Sequence, residues 1–264
     1  MQTEWKGKWA LITGASAGIG VEFATQLAAG GMHVALTARR RDRLEALSEK
    51  LKGAHKVETE IIVADLAEPN APEKIYGVTK QKGLAIELLI NNAGFGQYGE
   101  ITQVETQRLL NMVHVNCTAV VHLTRLFLPD MVARRSGYVL IVASTASFQA
   151  VPYISTYAAT KAFDLLFAEG LAEEMKPHGI RVCALCPGST ESEFHAVAGQ
   201  EQFTSKNQET AEKVARTGLQ ALAAGKSYVI SGLGNYLGAH SQRVVPRRMV
   251  TRIAANMFRP NKRD

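Results

Sequence analysis

The sequence predicts an α/β protein in which a doubly wound parallel sheet of about seven strands carries helices on both faces. Two observations support this fold. Short apolar runs alternate with longer runs of helical period along most of the chain, and the first apolar run leads directly into a glycine-rich turn. Because no linker, internal repeat or low-complexity segment interrupts this alternation, we expect one domain over residues 1–264, in which about 240–264 form an appended basic, amphipathic tail.

The predicted strands and helices alternate in chain order. The predicted strands are 9–13, 32–38, 57–64, 86–90, 137–143, 180–185 and 228–230. The predicted helices are about 18–29, 41–52, 72–81, 103–134, 155–175 and 210–223. Leu44, Leu47 and Leu51 recur at helical spacing and predict the buried face of the second helix. Pro129 is expected to interrupt the helix at 103–134, because proline lacks the backbone donor and clashes with the preceding turn.

The net charge of +6 is a local feature, since arginine and lysine are dense between residues 243 and 263 and the rest of the chain is nearly balanced. A nucleic-acid-binding protein would show a broad basic face with aromatic platforms, so we expect no nucleic-acid partner. Cys183 and Cys186 lie on a predicted strand, where positions three apart face opposite sides and cannot share a metal. We therefore predict buried structural thiols and no metal site.

Three cysteines without framework spacing favour a reducing compartment. The first residues lack the pattern of a signal peptide, and no window approaches the roughly 18 apolar residues of a membrane span. A cytoplasmic location is expected.

The glycine-rich turn at residues 13–20 joins the first strand to the first helix. Free backbone donors and the positive end of a helix dipole would face an anion there, and glycine lets the backbone approach a pyrophosphate. We favour a turn that binds a dinucleotide over the alternative of a tight turn that binds no ligand. The second strand ends without the carboxylate typical of NAD sites; Ala38 is followed instead by Arg39 and Arg40, which suit a ribose phosphate. This pattern favours NADP(H). Arg41 follows the same two arginines, but it is also consistent with a surface residue that has no role in cofactor binding.

Tyr157 and Lys161 are spaced to lie on one face of a helix. A nearby ammonium favours the phenolate, so we expect Lys161 to lower the pKa of Tyr157 towards the working range of an acid or base. Ser144 ends a predicted strand at the sheet edge where ligands bind, and Thr145 and Ser147 are neighbouring hydroxyl candidates.

Taken together, the motifs resemble the short-chain dehydrogenase/reductase family, of the NADP(H)-preferring type with a Rossmann-type fold, across nearly the whole chain. The resemblance rests on an ordered set at the family's spacing: Thr13-Gly-x-x-x-Gly-Ile-Gly20, Asp65, Asn91-Asn-Ala-Gly94, Asn116, Ser144, Tyr157-x-x-x-Lys161 and Pro187-Gly188. It implies that a hydride passes between nicotinamide and the carbonyl or hydroxyl carbon of a small-molecule substrate.

The resemblance also implies the role of each residue. Tyr157 would be the general acid and base, Ser144 would hydrogen-bond the substrate oxygen, Lys161 would lower the Tyr157 pKa and bind the nicotinamide ribose, and Asn116 would hold a water in the proton path. Contacts with NADP(H) would come from Gly14, Ser16, Ala17, Gly18, Ile19, Gly20, Arg39, Arg40, Asp65, Leu66, Asn92, Ala93, Gly94, Tyr157, Lys161, Pro187, Gly188, Thr190 and Ser192. Thr190 and Ser192 are competing candidates for the bond to the carboxamide.

The resemblance implies that the segment after Gly188 and the C-terminus build most of the substrate pocket, and the apolar residues expected there favour a small to medium apolar ketone or alcohol. The apolar residues concerned are Phe194, Val197 and Phe203, with Phe95, Tyr98 and Phe148 as further candidate walls. His195 is interpreted as a solvated loop residue. Reduction of a 3-oxoacyl thioester is the alternative, and a non-catalytic NADP(H)-binding regulator is a hypothesis of another class.

The basic tail places Met249, Val250, Ile253 and Met257 on one helical face. Packing on this domain or on a second subunit is the favoured interpretation, and contact with an anionic membrane surface is the alternative. The resemblance implies a homodimer or homotetramer.

Overall fold

The computed structural model describes residues 5–199 and 208–260, and in this part of the chain seven strands form one parallel sheet. They are β1 (Trp9–Thr13), β2 (His33–Ala38), β3 (Thr59–Val63), β4 (Ile86–Asn91), β5 (Gly137–Val142), β6 (Ile180–Cys186) and β7 (Tyr228–Ile230). Their order across the sheet is β3-β2-β1-β4-β5-β6-β7, and every neighbouring pair is parallel. The predicted fold class is confirmed.

The α-helices of the described residues cover both faces of this sheet. They are α1 (Gly18–Ala29), α2 (Arg41–His55), α3 (Ala71–Gln81), α4 (Thr106–Val113), α5 (Ala119–Arg134), α6 (Ser155–Met175), α7 (Phe194–Ala198), α8 (Ala211–Ala223), α9 (Leu233–Ser241) and α10 (Arg247–Phe258). Each predicted strand and helix up to residue 230 is present, with ends that differ by a few residues, apart from the division of the 103–134 helix.

The expected interruption at Pro129 is wrong. Pro129 lies inside α5, and the break in the long helix comes earlier, at a π-helical turn over His114–Thr118. A proline removes the hydrogen bond to the carbonyl four residues before it, which here belongs to Arg125. Because both Pro129 and Arg125 are exposed, water can bind that carbonyl, and the helix continues through the proline.

Two hydrophobic clusters, one on each face of the sheet, form the core. Phe23 of α1, Leu44 of α2 and Leu219 of α8 pack on one face, and α3, α5 and α6 cover the other. Cys183 belongs to the first cluster and Cys186 to the second, as expected for positions three apart on a strand. Burial raises the pKa of the Cys183 thiol to about 12, so it is an inert apolar side chain at neutral pH.

No helix within the described ranges has the length and apolar character needed to cross a lipid bilayer.

We expect Pro129→Ala to stabilise the protein by about 1 kcal/mol or more, because alanine restores a helical donor and is a far better helix former than proline. Denaturant unfolding monitored by circular dichroism measures the change. Pro177→Ala is the matched control, since Pro177 is exposed in the first turn of a 3₁₀-helix, where its missing donor has no partner to lose. Equal effects of the two substitutions, or a loss of stability in Pro129→Ala, would contradict the explanation given for α5.

Candidate active site

A cleft of about 760 Å³ opens where the carboxyl ends of the strands meet. Parallel α/β sheets bind ligands at this edge, where the strand order changes direction, here between β1 and β4. The cleft is lined by the residues that follow six of the strands, including Gly14, Arg40, Asp65, Asn92, Ser144 and Gly188. The structure therefore brings most of the predicted site residues into one place.

The turn after β1 has the shape of an anion cradle. Gly14 has a positive φ of 69°, and a Cβ there would lie 2.8 Å from the Asn92 side-chain nitrogen. A Cβ at Gly20 would collide with the Gly14 carbonyl oxygen. Helix α1 begins after Ala17 with no side-chain cap and no acidic residue in its first turn. Its first backbone donors therefore suit a phosphate, and the predicted phosphate contact itself stays a prediction.

The end of β4 is tied to the end of β1 through one hydroxyl. The Thr13 Oγ1 donates to the Ile90 carbonyl at 3.2 Å and accepts from the backbone nitrogens of Asn92 at 2.9 Å and Ala93 at 3.0 Å. The Asn92 side chain donates back to the Thr13 carbonyl at 2.8 Å. These bonds fix the floor of the cleft below the glycine-rich turn.

Arg40 reaches from the end of β2 to the glycine-rich turn. Its Nε and Nη2 lie 3.2 and 3.0 Å from the Ser16 Oγ. Arg39 is more exposed and lies 3.7 Å from Asp65, whose other carboxylate oxygen accepts from the Ala67 backbone at 3.0 Å. Both arginines line the cleft, so the predicted position for a ribose phosphate is built from guanidinium groups.

Glu193 is a site residue that the sequence did not indicate. Its carboxylate lies 2.8 Å from Arg40 and 2.6 Å from Arg43. Both cations lower the pKa of Glu193, and the hydrogen bond from Arg43 has the largest effect. Glu193 follows β6, far from the arginines along the chain, and no local pattern could reveal the contact. It connects the segment after β6 to the predicted phosphate position, where a bound phosphate would compete with Glu193 for Arg40.

Beyond β6, the structure leaves both carboxamide candidates available. Pro187, Gly188, Thr190 and Ser192 all line the cleft. The Thr190 side chain is buried and donates to the Gly188 carbonyl at 3.1 Å, whereas Ser192 donates to the Thr190 carbonyl at 3.4 Å. The choice between Thr190 and Ser192 stays a prediction.

Asn116 lies in the π-helical turn between α4 and α5, and this wide turn, a feature frequent at functional sites, was not predicted. Its side-chain oxygen accepts from the Phe95 backbone at 3.1 Å, and its amide donates to the Phe95 carbonyl and the Thr160 hydroxyl, each at 3.0 Å. Asn116 thus joins the loop after β4 to α6. Its proposed water contact stays a prediction.

Ser144 and Tyr157 face each other across the cleft. Ser144 caps the short helical turn Thr145–Phe148, and its Oγ accepts from the Ala146 backbone at 3.1 Å, which leaves the hydroxyl proton free to donate. Ser147 is excluded from the same role, because its hydroxyl donates to the Lys161 carbonyl at 2.7 Å. The structure therefore selects Ser144 over Ser147 as the hydroxyl beside Tyr157.

Burial raises the pKa of Tyr157, although Lys161 and a hydrogen bond with Ser144 both act to lower it. The expectation of a net lowering is wrong for the protein alone, because desolvation of the phenolate outweighs the ammonium. Tyr157 is consequently protonated at neutral pH.

The Lys161 ammonium is buried and paired with Asp164, a residue that the sequence analysis missed. Its Nζ donates to the Asp164 Oδ2 at 3.0 Å and to the Val142 carbonyl at 2.7 Å. Burial alone would lower the pKa of Lys161, but Asp164 and Tyr157 raise it above its usual value. Burial raises the pKa of Asp164 to about 6 against the pull of Lys161, and its Oδ1 has no hydrogen-bond partner among the residues that the structure describes. The sequence did contain a signal for this pair, because an acidic residue three positions after a lysine on a helix lies on the same face and can form an ion pair with it.

One side of the cleft is apolar. The Phe194 ring centroid lies 5.2 Å from that of Tyr157, and Phe95, Val197 and Phe258 line the same cleft. Phe148 does not belong to this wall, because it packs on Tyr228 and His240 beside β7. Phe258 was not predicted; its carbonyl accepts from the Tyr98 hydroxyl at 2.8 Å, so the end of α10 closes one end of the cleft. Phe203 and the His195 side chain lie outside the described residues.

No cluster of three or more potential metal-binding side chains occurs within residues 5–199 and 208–260.

The comparisons with known proteins agree with this geometry. A family model described as short chain dehydrogenase matches residues 8–202. A very-long-chain 3-oxoacyl-CoA reductase of Pyrenophora tritici-repentis is 38% identical over 183 residues, which are 67% of this chain and 53% of that protein. The human very-long-chain 3-oxoacyl-CoA reductase is 36% identical over 69% of this chain and 59% of its own length. The chain thus spans between half and two thirds of these relatives.

Solved structures share the fold over nearly the whole chain. A short-chain dehydrogenase from Sphingobium yanoikuyae in complex with NADPH has a TM-score of 0.82 and 28% identity, covering 97% of this chain and 98% of its own. The bulky-bulky ketone specific alcohol dehydrogenase from Comamonas testosteroni has a TM-score of 0.77 and 26% identity, with 97% and 96% coverage.

We expect Asp164→Asn to move the ionisation of Tyr157 to lower pH, because the Asp164 carboxylate opposes formation of the phenolate. The tyrosinate ultraviolet signal, taken as the difference between each protein and its Tyr157→Phe counterpart, measures this shift. Asp130→Asn, which removes a carboxylate on α5 that pairs with Lys80, is the matched control. An unchanged Tyr157 titration in Asp164→Asn would show that Asp164 has only a packing role.

Proposed function

The chain belongs to the short-chain dehydrogenase family, and we propose that it uses NADPH to reduce the 3-oxo group of a long acyl thioester. As a member of this family it is an oxidoreductase acting at CH–OH or C=O groups with a nicotinamide cofactor. The observation that carries the substrate proposal is the apolar wall of Phe95, Phe194, Val197 and Phe258 beside Tyr157.

NADPH fits the residues of the cleft better than NADH does. The uncapped start of α1 and the close approach at Gly14 suit the pyrophosphate. Arg40 suits the additional ribose phosphate, which NADH lacks. When bound, the cofactor supplies the hydride for the substrate carbon. The similarity to a family member solved with NADPH supports this assignment.

Tyr157 then serves as the proton donor. Its raised pKa keeps the phenol protonated, which is the form that a general acid needs during reduction. The Ser144 hydroxyl, whose lone pair already accepts from Ala146, donates to the substrate oxygen and stabilises the negative charge that develops there. The proton passes from Tyr157 to that oxygen, and the Lys161 ammonium stabilises the phenolate that remains. Asn116 connects the Phe95 loop to α6 through hydrogen bonds. It would also hold a water molecule in the path by which Tyr157 regains its proton.

The thioester substrate is preferred to a small ketone for two reasons. First, several curated relatives at 34–38% identity are very-long-chain 3-oxoacyl-CoA reductases. Second, Arg108 lines the cleft above the Phe95 ring, at 5.3 Å from its centroid, and within the described ranges it forms no ion pair with an acidic residue. Arg108 could bind an anionic carrier group while the acyl chain lies on the apolar wall.

A bulky apolar ketone or alcohol is the second candidate substrate. Its support is the likeness to the Comamonas alcohol dehydrogenase and to a 7beta-hydroxysteroid dehydrogenase, which has a TM-score of 0.87 and 26% identity. A regulator without catalysis is disfavoured, because Ser144, Tyr157 and Lys161 are brought together intact.

We further propose that residues 1–264 form one domain, that the protein acts in the cytoplasm, and that it is a homodimer or homotetramer. Exposed apolar side chains support self-association, since Val121 on α5 and Phe163 and Leu166 on α6 are 36%, 41% and 69% exposed.

We expect kcat/KM for 3-oxoacyl thioesters to rise by about fourfold with each methylene that the apolar wall buries, and Phe194→Ala to flatten this trend. NADPH oxidation measures the rates.

Tyr157→Phe should lower kcat by about a hundredfold or more while NADPH still binds, and Tyr153→Phe is its matched control. Faster turnover of bulky cyclic ketones than of any thioester would favour the second candidate. Full activity of Tyr157→Phe would refute the catalytic assignment.

We expect Arg40→Gln to weaken NADPH binding by about 10- to 100-fold without changing NADH binding, because the variant loses a charge-assisted contact with the ribose phosphate. Glu193→Gln should strengthen NADPH binding, since it removes the competing carboxylate. Isothermal titration calorimetry measures both effects. Arg41→Gln is the matched control, as Arg41 contacts only Glu45, at 3.6 Å, among the described ion pairs. Equal losses for NADH and NADPH in Arg40→Gln would place the ribose phosphate elsewhere.

A further inference from the structure

We propose that α10 attaches the protein to the surface of an anionic lipid membrane, lying in the plane of the interface beside the mouth of the cleft. The proposal rests on three features of the described residues: an exposed apolar stripe, a row of arginines without acidic partners, and an anchor between α10 and the cleft.

The apolar stripe runs along the outer side of α10. Met249, Ile253 and Met257 are spaced four residues apart, so they share one face of the helix, and they are 53%, 54% and 66% exposed. A helix that only packed on its own domain would turn such residues inward. Here Ala254 is the buried residue of α10 and Phe258 is half-buried beside it, whereas Met249, Ile253 and Met257 remain in solvent.

Arginines lie next to this stripe. Arg248 and Arg252 are also four residues apart and exposed, and Arg247 and Arg259 lie at the two ends of α10. None of these four forms an ion pair with another described residue. Between residues 213 and 263 the sequence contains ten basic residues and no acidic one. The surface therefore carries positive charge that no acidic side chain of residues 5–199 and 208–260 neutralises through an ion pair.

An anionic membrane satisfies both features at once. Lipid headgroups neutralise the arginines, and the interface accepts the apolar stripe to a depth of several ångströms. A second copy of this chain would bring two uncompensated basic helices together in a symmetric contact, which is electrostatically unfavourable. Nucleic acid would neutralise the arginines but leave Met249, Ile253 and Met257 exposed to solvent.

The inner side of α10 is fixed to the cleft. Ala254 packs with Val151, Ile154 and Ala158, a cluster to which Tyr157 and Phe258 also belong. The Tyr98 hydroxyl donates to the Phe258 carbonyl at 2.8 Å. A membrane bound to the outer side of α10 would consequently lie close to the apolar end of the cleft. Helix α9 has its own exposed apolar face of Leu233, Tyr236 and Leu237, which can add to the contact.

Vesicle flotation of the full chain at low salt tests the proposal without any substrate. We expect binding to vesicles of equal parts phosphatidylglycerol and phosphatidylcholine and little binding to pure phosphatidylcholine. Arg248→Gln with Arg252→Gln should lower the partition coefficient roughly 30-fold, and Ile253→Asn should also lower it. Lys50→Gln with Lys74→Gln removes equal charge from α2 and α3 and should leave binding unchanged.

Circular dichroism and NADPH binding verify that each variant is folded, so that loss of flotation is not mistaken for misfolding. Failure of the wild type to float with anionic vesicles, or equal flotation of the Arg248/Arg252 variant, would overturn the proposal. Suppose that the wild type does not bind vesicles and that Ile253→Asn lowers the molecular mass measured by analytical ultracentrifugation. This face would then be assigned to contact with a second copy of the chain.

Discussion

The change of direction between β1 and β4 is the constraint on which the rest of the site depends. Strands on either side of this point run in the same direction, but their crossover connections lie on opposite faces, so the chain cannot cover the carboxyl edge between them. The Thr13 hydroxyl holds the two strand ends together through bonds to Ile90, Asn92 and Ala93. With that edge fixed, the glycine-rich turn, the arginines after β2 and the hydroxyl after β5 all face one cleft, although they are far apart in sequence.

Features that a short stretch of sequence encodes could be predicted. The alternation of apolar and helical runs identified the strands, because each buried strand of a parallel sheet must be apolar on both faces. The Tyr157–Lys161 spacing and the glycine-rich turn are local as well. The prediction that Pro129 breaks the helix was wrong because the effect of a proline depends on whether the turn before it, which holds the freed carbonyl, is solvated, and that is a property of the packed helix. The π-helical turn around Asn116 was not predicted for a similar reason, since no residue type in the sequence requires such a turn.

Site residues that the sequence did not predict depend on contacts between distant segments. Glu193 meets Arg40 and Arg43 across about 150 residues, and Phe258 reaches the cleft from the last described helix. The pKa of Tyr157 illustrates the same limit. The sequence correctly indicated that Lys161 would lower it, but the opposing effect of burial is a sum over surrounding protein that only the fold determines.

The buried pair of Lys161 and Asp164 influences the resting protonation state of Tyr157. Because Asp164 already balances the lysine, loss of the Tyr157 proton leaves the buried group of three side chains with a net negative charge. That charge is costly where water is excluded, so the site favours the state in which Tyr157 is protonated. A site with an unpaired Lys161 would instead stabilise the phenolate and favour a base. The arrangement of these three residues therefore keeps Tyr157 in the protonated form from which a carbonyl oxygen can receive a proton, and it makes the phenolate left by that transfer the costly state.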